Sequence, residues 1–527
     1  MIIINNFIIW GFLIILIFNN SQAQSAVTWA EDIAPILYQN CTKCHHSGGA
    51  GGFSLVNYVE AASIAGAIKS AVVSKNMPPW PPDPNYSEFA YERRLSDYQI
   101  NLISQWADAG APQGNPALAP SPPVYTTEFE ITNPDLITTI PVYQVNTSSD
   151  LYRCFVIPVN LGAGNRFISE MEIVPGNPSI VHHVLVFADD TNQPLQLDAQ
   201  DPEPGYTSFG GTGSNNSKLI GGWVPGTRPL KYPNGFGVKI SGNTNIIIQV
   251  HYPAGTVNQF DSTSIRFKLA QGPGIREVFI YPLINHVTSL TNGPLMILPN
   301  EVKTFHAMFT VPGYDVSNLF VAPHMHLIGR SIVCWLVTPS QDSIPVIRIN
   351  NWNFQWQGFY FHKKLKKVPA NSVIYAQAVY DNTTENPFNP NNPPQLVTAG
   401  EATTDEMFLI YFGSALYFMG DEHIAIEDQS VSSEPVDFSD IIKSPQLYDL
   451  FPNPTSHILN AEGFLPKSAL NQFEILDMHG RVVWSQVKEL QAGLFSFTID
   501  VSQLSPGPYT LKMISGNNVR TKSVLKN

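Results

Sequence analysis

The chain has 527 residues, which at roughly 100–200 residues per domain predicts three or four domains. Charged residues make up only 13%, which argues against disorder and coiled coil, and the net charge of −13 excludes a nucleic-acid binder because few cations could neutralise phosphates. The 4 cysteines exclude a disulfide scaffold, whereas 36 glycines and 43 prolines suit a turn-rich β protein.

An apolar run reaches Phe18 and is followed by Ser21 and Ala23, which fit the small-residue positions of a cleavage site. We expect a signal peptide over residues 1–23, although the run has no Lys or Arg before it, which leaves an uncleaved anchor open. No later stretch is long and apolar enough to cross a bilayer, so we expect no transmembrane segment after signal removal.

Residues 24–112 show helical patterning. A short apolar helix is predicted to lead into Cys41, and a capping box from Ser96 to Gln99 predicts the start of another helix. A proline-rich linker over residues 113–126 then marks a domain boundary.

Cys41, Cys44 and His45 form C-x-x-C-H, the signature of covalent haem attachment, in which two thiols bond the haem and the histidine binds its iron. Met77, followed by two prolines, is the predicted second iron ligand, with His46 as a competitor of poorer geometry. A C-x-x-C zinc site or redox disulfide is the alternative. Helix, motif, methionine loop and closing helix together resemble the small class I cytochrome c fold, which implies an all-α domain carrying one haem c.

From about Tyr125 the chain changes to short apolar runs separated by Gly, Pro and Asn, a pattern typical of antiparallel β-sandwiches. Its most conspicuous histidines are His182, His183, His251, His324 and His326. On a strand, residues two apart share a face, so the last two can bind one metal ion. The adjacent pair would need a bulge or different ring nitrogens to do the same.

In this order, the histidine motifs and the later Thr404-Asp-Glu-Met run resemble the copper type II monooxygenase family, which includes peptidylglycine α-hydroxylating and dopamine β-monooxygenases. The resemblance implies two tandem antiparallel, jelly-roll-like β-sandwiches over residues 127–270 and 271–432. By motif, the electron-transfer copper would be held by His182, His183 and His251. The oxygen-binding copper would be held by His324, His326 and Met407.

The ligand types agree with these roles. Three imidazoles suit copper in either oxidation state, whereas two imidazoles and a soft thioether favour Cu(I) and can leave a position for O2. The resemblance implies hydroxylation of a substrate C–H bond, with electrons from an external reductant such as ascorbate or a redox protein. The fused haem domain would then feed electrons singly to the first copper.

Two positions depart from the peptide-amidating members of the family. The arginine that binds the peptide carboxylate is replaced by Ala322, and an asparagine is replaced by Leu409, although the tyrosine beyond it is kept as the candidate catalytic residue Tyr411. We therefore expect an apolar pocket for a small-molecule or peptide substrate. The remaining histidines, including His286 and His362, are interpreted as structural or exposed.

Residues 445–527 contain Leu-Phe-Pro-Asn-Pro-Thr from residue 450 and Leu-Ser-Pro-Gly-Pro-Tyr from residue 504. These motifs resemble the C-terminal sorting domain of type IX secretion cargo, a small β-sandwich read by the outer-membrane secretion machinery. The resemblance implies a secreted or cell-surface protein that passes through the periplasm of a Gram-negative bacterium. An immunoglobulin-like or carbohydrate-binding module is the alternative.

The sequence thus predicts a mainly β, secreted copper monooxygenase linked to a haem domain. A non-catalytic surface electron-transfer or copper-binding protein is the second hypothesis, and an adhesin with structural histidines is the third. Whether Cys154 and Cys334 pair is left open.

Overall fold

The computed structural model describes residues 27–125, 129–426, 445–447, 450, 453–465, 467–491 and 493–527. The predicted signal peptide lies outside this part of the chain. Two compact units are present: a helical unit of residues 27–47, 53–78 and 94–124, and a β unit that takes up residues 48–52, 79–93 and the rest from 125 onward. Among the described residues, no helix combines the length and the apolarity that a membrane span needs.

Short helices build the helical unit: a π-turn Trp29–Ile33, then α1 Ala34–Asn40, α2 Tyr58–Ser63, α3 Ala65–Val73 and α4 Asp97–Asp108, followed by a 3-10 turn Pro116–Leu118. The predicted capping box is present, since the Ser96 side chain accepts from the Gln99 N–H and the Gln99 side chain accepts from the Ser96 N–H. Ile103 and Trp106 of α4 are fully buried, as their helical spacing predicts.

The first part of the β unit, here called the first sandwich after the predicted fold, comprises β1 Leu136–Thr139, β2 Tyr143–Val145, β3 Leu151–Val174, β4 His183–Asp189, helix α5 Gln193–Gln200, β5 Tyr206–Thr207, β6 Lys218–Trp223, β7 Leu230–Lys231, β8 Phe236–Tyr252, β9 Gln259–Asp261, β10 Ser264–Leu269 and β11 Arg276–Glu277. Its main sheet runs in the order β1-β10-β3-β8-β4-β6. Strand β8 lies between β3 and β4 and is almost continuously buried, which explains its unbroken apolar run from Ile246 to Ile248.

The second sandwich comprises β12 Phe279–Asn285, β13 Met296–Ile297, β14 Val302–Thr310, β15 Val316–His324, β16 Gly329–Val337, β17 Ser343–Ile349, β18 Tyr360–Val368, β19 Val373–Asp381, β20 Val397–Thr398 and β21 Leu409–Leu416, followed by a 3-10 turn Asp421–His423. One sheet has the order β12-β21-β15-β18 and the other β14-β19-β16-β17, both antiparallel. The prediction of a mainly β protein with antiparallel sheets is therefore confirmed. Cys154 on β3 and Cys334 on β16 are both free thiols.

The C-terminal region is built from β22 Gln446–Leu447, β23 Ile458–Leu465, β24 Ala469–Leu476, β25 Val482–Leu490, β26 Gly493–Asp500, β27 Gly507–Ser515 and β28 Asn518–Lys526. They form a three-stranded sheet β22-β23-β26 and a four-stranded sheet β25-β24-β27-β28. The C-terminal region has a core of its own, in which Phe473 and Leu511 are fully buried. A separate core is what a small β-sandwich requires.

A single apolar cluster extends across the first and second sandwiches. Leu319, Phe320 and Phe361 of the second sandwich pack in the same cluster as the core of the first, and all three are buried. A buried ion pair joins the sandwiches as well, with Arg276 Nη2 2.6 Å from Asp421 Oδ2. Because apolar burial stabilises by about 25 cal/mol per Å², a shared core of this kind holds the two sandwiches in one arrangement.

Residues 79–93, here called the belt, leave the helical unit and pack on the β unit. On the second sandwich, the Asp83 N–H donates to Arg348 O at 2.7 Å and the Ala90 N–H donates to Phe361 O at 2.7 Å. On the first, Arg93 Nη1 donates to Gly226 O at 2.6 Å. The belt therefore contacts both sandwiches.

Aromatic side chains anchor the belt. Phe89 is fully buried and stacks on His362, with ring centroids 5.5 Å apart, while Trp80 packs edge-on against Tyr360 at 5.4 Å. The Tyr91 hydroxyl donates to Ile426 O at 2.8 Å. His362 is thus a buried structural residue, as the sequence suggested.

Candidate metal centres and active site

The first histidine cluster, His182, His183 and His251, forms where β4 begins beside β8. His183 is the first residue of β4 and pairs across the sheet with His251, while His182 lies just before the strand and donates its N–H to His251 O at 3.0 Å. The strand geometry that would have turned the adjacent side chains apart is therefore absent at His182. The Nδ1 atom of His182 lies 3.2 Å from Nδ1 of both other rings.

Burial keeps two of the three imidazoles neutral. It lowers the pKa of His182 to about 4, and it lowers the pKa of His183 well below the usual histidine value. Asp150 Oδ1 lies 3.3 Å from Nε2 of His251, and Tyr152 stacks on the same imidazole with centroids 4.3 Å apart. A carboxylate and an aromatic ring that hold an imidazole in one orientation are typical surroundings of a metal-binding histidine.

The second cluster, His324, His326 and Met407, forms at the neighbouring ends of β15 and β21. His324 is the last residue of β15 and pairs with Leu409 of β21, so the chain that enters β21 brings Met407 alongside the two histidines. The two imidazole rings stand nearly perpendicular with centroids 5.0 Å apart. Burial lowers the pKa of His324 to about 4 and that of His326 to about 3, so both are neutral ligands near pH 7.

Glu406 stabilises the backbone segments that carry the second cluster. Its carboxyl group is fully buried, which raises its pKa to about 8, and its oxygens accept from the backbone N–H groups of His326 at 2.9 Å, Ile328 at 2.8 Å and Met407 at 3.1 Å. One side chain thereby fixes both chain segments that carry the cluster. The sequence marked Glu406 only as part of the motif around Met407.

Both clusters face one cavity of about 350 Å³. Its wall includes His183, His324, His326 and Met407 together with the candidate catalytic Tyr411. The remaining wall is largely apolar, with Leu185, Phe187, Leu219, Trp223, Val287, Ala322, Phe359 and Leu409. Ala322 and Tyr411 lie side by side, paired in register on the neighbouring strands β15 and β21. The expected apolar pocket is therefore present at the clusters.

Several cavity residues were missed by sequence reasoning. His286, interpreted there as structural or exposed, lines the cavity, and its Nδ1 accepts from the Phe408 N–H at 3.3 Å. Glu401 places a carboxylate in the same wall, where burial raises its pKa. The loop between β17 and β18 adds Phe354 and Gln357, and its run of aromatic and amide residues was the one local signal that could have pointed to them.

Two known protein-family domains match the part of the chain that carries the clusters. Residues 137–258 match the N-terminal domain of the copper type II ascorbate-dependent monooxygenases, and residues 303–428 match their C-terminal domain. The predicted resemblance to both domains of this monooxygenase family is confirmed by these matches. Residues 449–527 match the secretion system C-terminal sorting domain, which confirms the predicted sorting tail.

A curated relative agrees with the family. The chain is 23% identical over 296 residues to the tyramine β-hydroxylase of Caenorhabditis briggsae, which covers 51% of this chain and 46% of that protein. The match thus spans about half the length of that monooxygenase.

Among solved structures, a Faecalibacterium prausnitzii β-glucuronidase aligns at 13% identity and a TM-score of 0.13, over 43% of this chain and 37% of the other. A Parabacteroides merdae β-glucuronidase aligns at 10% identity and a TM-score of 0.13, over 42% and 28%. Likenesses this slight carry no argument about the monooxygenase domains.

The predicted haem residues all lie in the helical unit. Helix α1 ends at Asn40, directly before Cys41, and the N–H groups of Cys44 and His45 donate to Cys41 O at 3.1 and 2.9 Å, which folds the motif into one turn. His45 stacks on Phe53 with centroids 4.3 Å apart, and its buried Nδ1 has no hydrogen-bond partner among the described residues.

Met77 lies in the turn after α3, where its N–H donates to Ala71 O at 3.2 Å. The competing His46 points its Nδ1 at Thr42 O, 2.9 Å away, on the same turn as the cysteines. Burial lowers the pKa of His45, so its imidazole is neutral and can bind iron. The residues present therefore fit a c-type haem.

Proposed function

We propose that the protein is a secreted copper monooxygenase that hydroxylates a C–H bond of a small substrate with O2, and that its helical unit is a cytochrome c domain supplying electrons. One observation carries the proposal: two clusters of imidazole and thioether side chains face a single, largely apolar cavity. An electron-transfer or copper-binding protein has no need of such a cavity beside its ligands. The two matched monooxygenase domains support the same reading.

His182, His183 and His251 would hold the first copper ion. Their nitrogens lie within 4.8 Å of one another, and Asp150 would orient His251 through the ring nitrogen that the metal does not use. His324, His326 and Met407 would hold the second. When copper is bound, the first site would relay an electron and the second would activate O2.

The chain's own residues prepare the second site for a substrate. Mainly apolar walls line the space beside His324 and His326, and the small side chain of Ala322 leaves room in it. Tyr411 is half-buried in the cavity wall, and the loss of solvation raises the pKa of its phenol to about 12, so that it stays protonated and can donate a hydrogen bond. We propose that Tyr411 orients the substrate.

Glu401 suggests the charge of that substrate. Its carboxylate lies in a mainly apolar wall, close to Gly210 and near enough to Tyr152 and Tyr411 to raise the pKa of both phenols. A cationic group is the natural partner for a carboxylate placed among apolar residues. We therefore propose an apolar, most simply aromatic, amine, in keeping with the named substrate of the tyramine β-hydroxylase relative.

Glu401→Gln should raise the KM for amine substrates about 10-fold or more while changing kcat less, because a charge-assisted contact worth about 1.5–3 kcal/mol would be lost from substrate binding. Steady-state O2 uptake against a panel of aryl- and alkylamines measures this. A neutral analogue of the same shape is the control and should be unaffected. An equal change for amine and neutral analogue would contradict the assignment.

In the helical unit, Cys41 and Cys44 would attach the haem, and His45 and Met77 would bind its iron. The chemistry supplied is one-electron transfer from an external donor, with ascorbate or a redox protein as the ultimate reductant. We propose that these electrons pass to the first cluster. The signal peptide predicted over residues 1–23 and the sorting tail would deliver the protein through the periplasm to the cell surface.

Met77→Ala should leave the haem attached but abolish electron supply from a protein donor, while ascorbate-driven turnover is retained. Optical spectra follow the loss of the sulfur ligand, and O2 uptake follows turnover with each reductant. This substitution is a cleaner test than deletion of residues 24–115, because the deletion would also remove the belt and its buried Phe89 from the β unit. Undiminished turnover with the protein donor would exclude the proposed electron route.

Metal analysis of the full-length protein tests the whole proposal. We expect two copper ions and one haem per chain, together with O2 uptake that needs both a reductant and a substrate. His326→Ala should remove one copper ion and all substrate-dependent uptake. Copper and haem bound without uptake on any substrate would favour the non-catalytic electron-transfer protein instead.

A further inference from the structure

The loop of residues 350–359, between β17 and β18, contacts both proposed ligand clusters. Trp352 Nε1 donates to His326 O at 3.2 Å, and Gln357 Oε1 is hydrogen-bonded to Nδ1 of His324. Both contacts orient ligands of the second cluster, which belongs to the same sandwich as the loop. A third side chain of the loop, Phe354, contacts both clusters.

Phe354 touches an imidazole in each cluster. Its ring stacks on His182 of the first, with centroids 5.1 Å apart and planes inclined by 18°. It meets His326 of the second nearly edge-on, at 5.8 Å and 87°. Since both distances are measured from one ring, the centroids of His182 and His326 lie less than about 11 Å apart.

The two clusters also line one cavity, although they belong to different sandwiches: His183, His324 and His326 all lie in its wall. The shared apolar core and the buried pair of Arg276 with Asp421 hold the sandwiches in this arrangement. Phe354 therefore lies between two histidines, His182 and His326, whose relative positions are fixed by the packing of the two sandwiches.

A ring that contacts two histidines can transmit a loss of mobility from one imidazole to the other. A metal ion that fixes His182 also fixes the stacked ring of Phe354, and the fixed ring restricts His326. The second metal ion then loses less conformational freedom on binding, which is positive coupling without any change of fold. Each ring–ring contact is typically worth about 0.5–1.5 kcal/mol, enough for a measurable effect.

We propose that Phe354 is a positioning residue that couples metal binding at the two clusters, so that occupancy of one favours occupancy of the other. The inference rests on the proposed function, because it takes the two clusters as copper sites. It assigns to Phe354 no contact with O2 or substrate. Its role is to hold one ligand of each site in the orientation that the metal needs.

Titration of the full-length apoprotein with Cu(I) tests the coupling without any substrate. X-ray absorption distinguishes the sites, because only the second cluster contributes a sulfur scatterer. We expect Phe354→Ala to weaken binding at each cluster about 3- to 10-fold, and Phe354→Tyr, which keeps the ring, to restore it. Phe388→Ala, at an exposed phenylalanine of the same sandwich, should behave as the wild type.

A double-mutant cycle isolates the coupling. His182→Ala should weaken copper binding at the second cluster in the wild-type background but have at least 3-fold less effect when Phe354 is alanine. Equal effects in the two backgrounds, or unchanged affinities in Phe354→Ala, would overturn the inference. Wild-type protein that binds no copper would instead refute the proposed function, a result that no Phe354 variant could imitate.

Discussion

Replacing Glu406 with alanine should strip copper from the second cluster and destabilise the β unit by about 3–5 kcal/mol. The buried N–H groups of His326, Ile328 and Met407 would each lose their acceptor, and an unsatisfied buried donor costs about 1–3 kcal/mol. Loss of a residue that orients metal ligands typically lowers metal affinity 10- to 100-fold. Copper titration and denaturant unfolding measure the two effects separately.

Two further variants sharpen this expectation. Glu406→Gln keeps one acceptor oxygen and should show an intermediate loss, because the amide nitrogen cannot accept from the remaining donors. Glu385→Ala, at an exposed position of the same sandwich, should change neither stability nor copper binding. If Glu406→Ala bound copper at the second cluster with wild-type affinity, the carboxylate would have no part in building the site.

Phe89→Ala should cost about 3–5 kcal/mol of stability in the β unit, although residue 89 precedes the first β-strand in the chain. The ring is fully buried and contacts Trp80, Tyr360 and His362, so its removal leaves a cavity that the fixed strands cannot close. The belt should then detach more readily. Denaturant unfolding and the rate of proteolytic cleavage within residues 79–93 would report this.

Phe388→Ala is the matched control, since that side chain is 53% exposed and fills no core. It should alter unfolding by less than about 0.5 kcal/mol. Equal, small effects of the two substitutions would mean that the belt adds nothing to the stability of the β unit.

Periodicity and motif spacing predicted a large part of the two candidate clusters. Alternating and continuous apolar runs reveal strands because burial follows the strand period, and the H-x-H spacing placed His324 and His326 together. The pair His182 and His183 was ambiguous, since a regular strand would separate their side chains. The structure resolves this through the position of His182 just outside β4, a boundary that periodicity does not define.

Contacts between distant parts of the chain were beyond sequence reasoning. Phe354 meets His182 across more than 170 residues, and no local pattern encodes that pairing. The belt was interpreted as part of the helical domain because it lies between Met77 and α4. The local sequence of the belt does not indicate whether its aromatic residues pack on the helical unit or on the β unit. That depends on partner strands far along the chain.

The belt also bears on the order in which the protein acquires its structure. Ser87 accepts from Lys366, and Tyr91 donates to Ile426, across separations of 279 and 335 residues. Chains fold from the N-terminus as they emerge, so Trp80 and Phe89 must wait for Tyr360 and His362, which emerge much later. The core of the helical unit needs nothing beyond α4 and the turn after it, so it can close early, with the belt as an open loop. During that interval the aromatic side chains of the belt have no core to pack against.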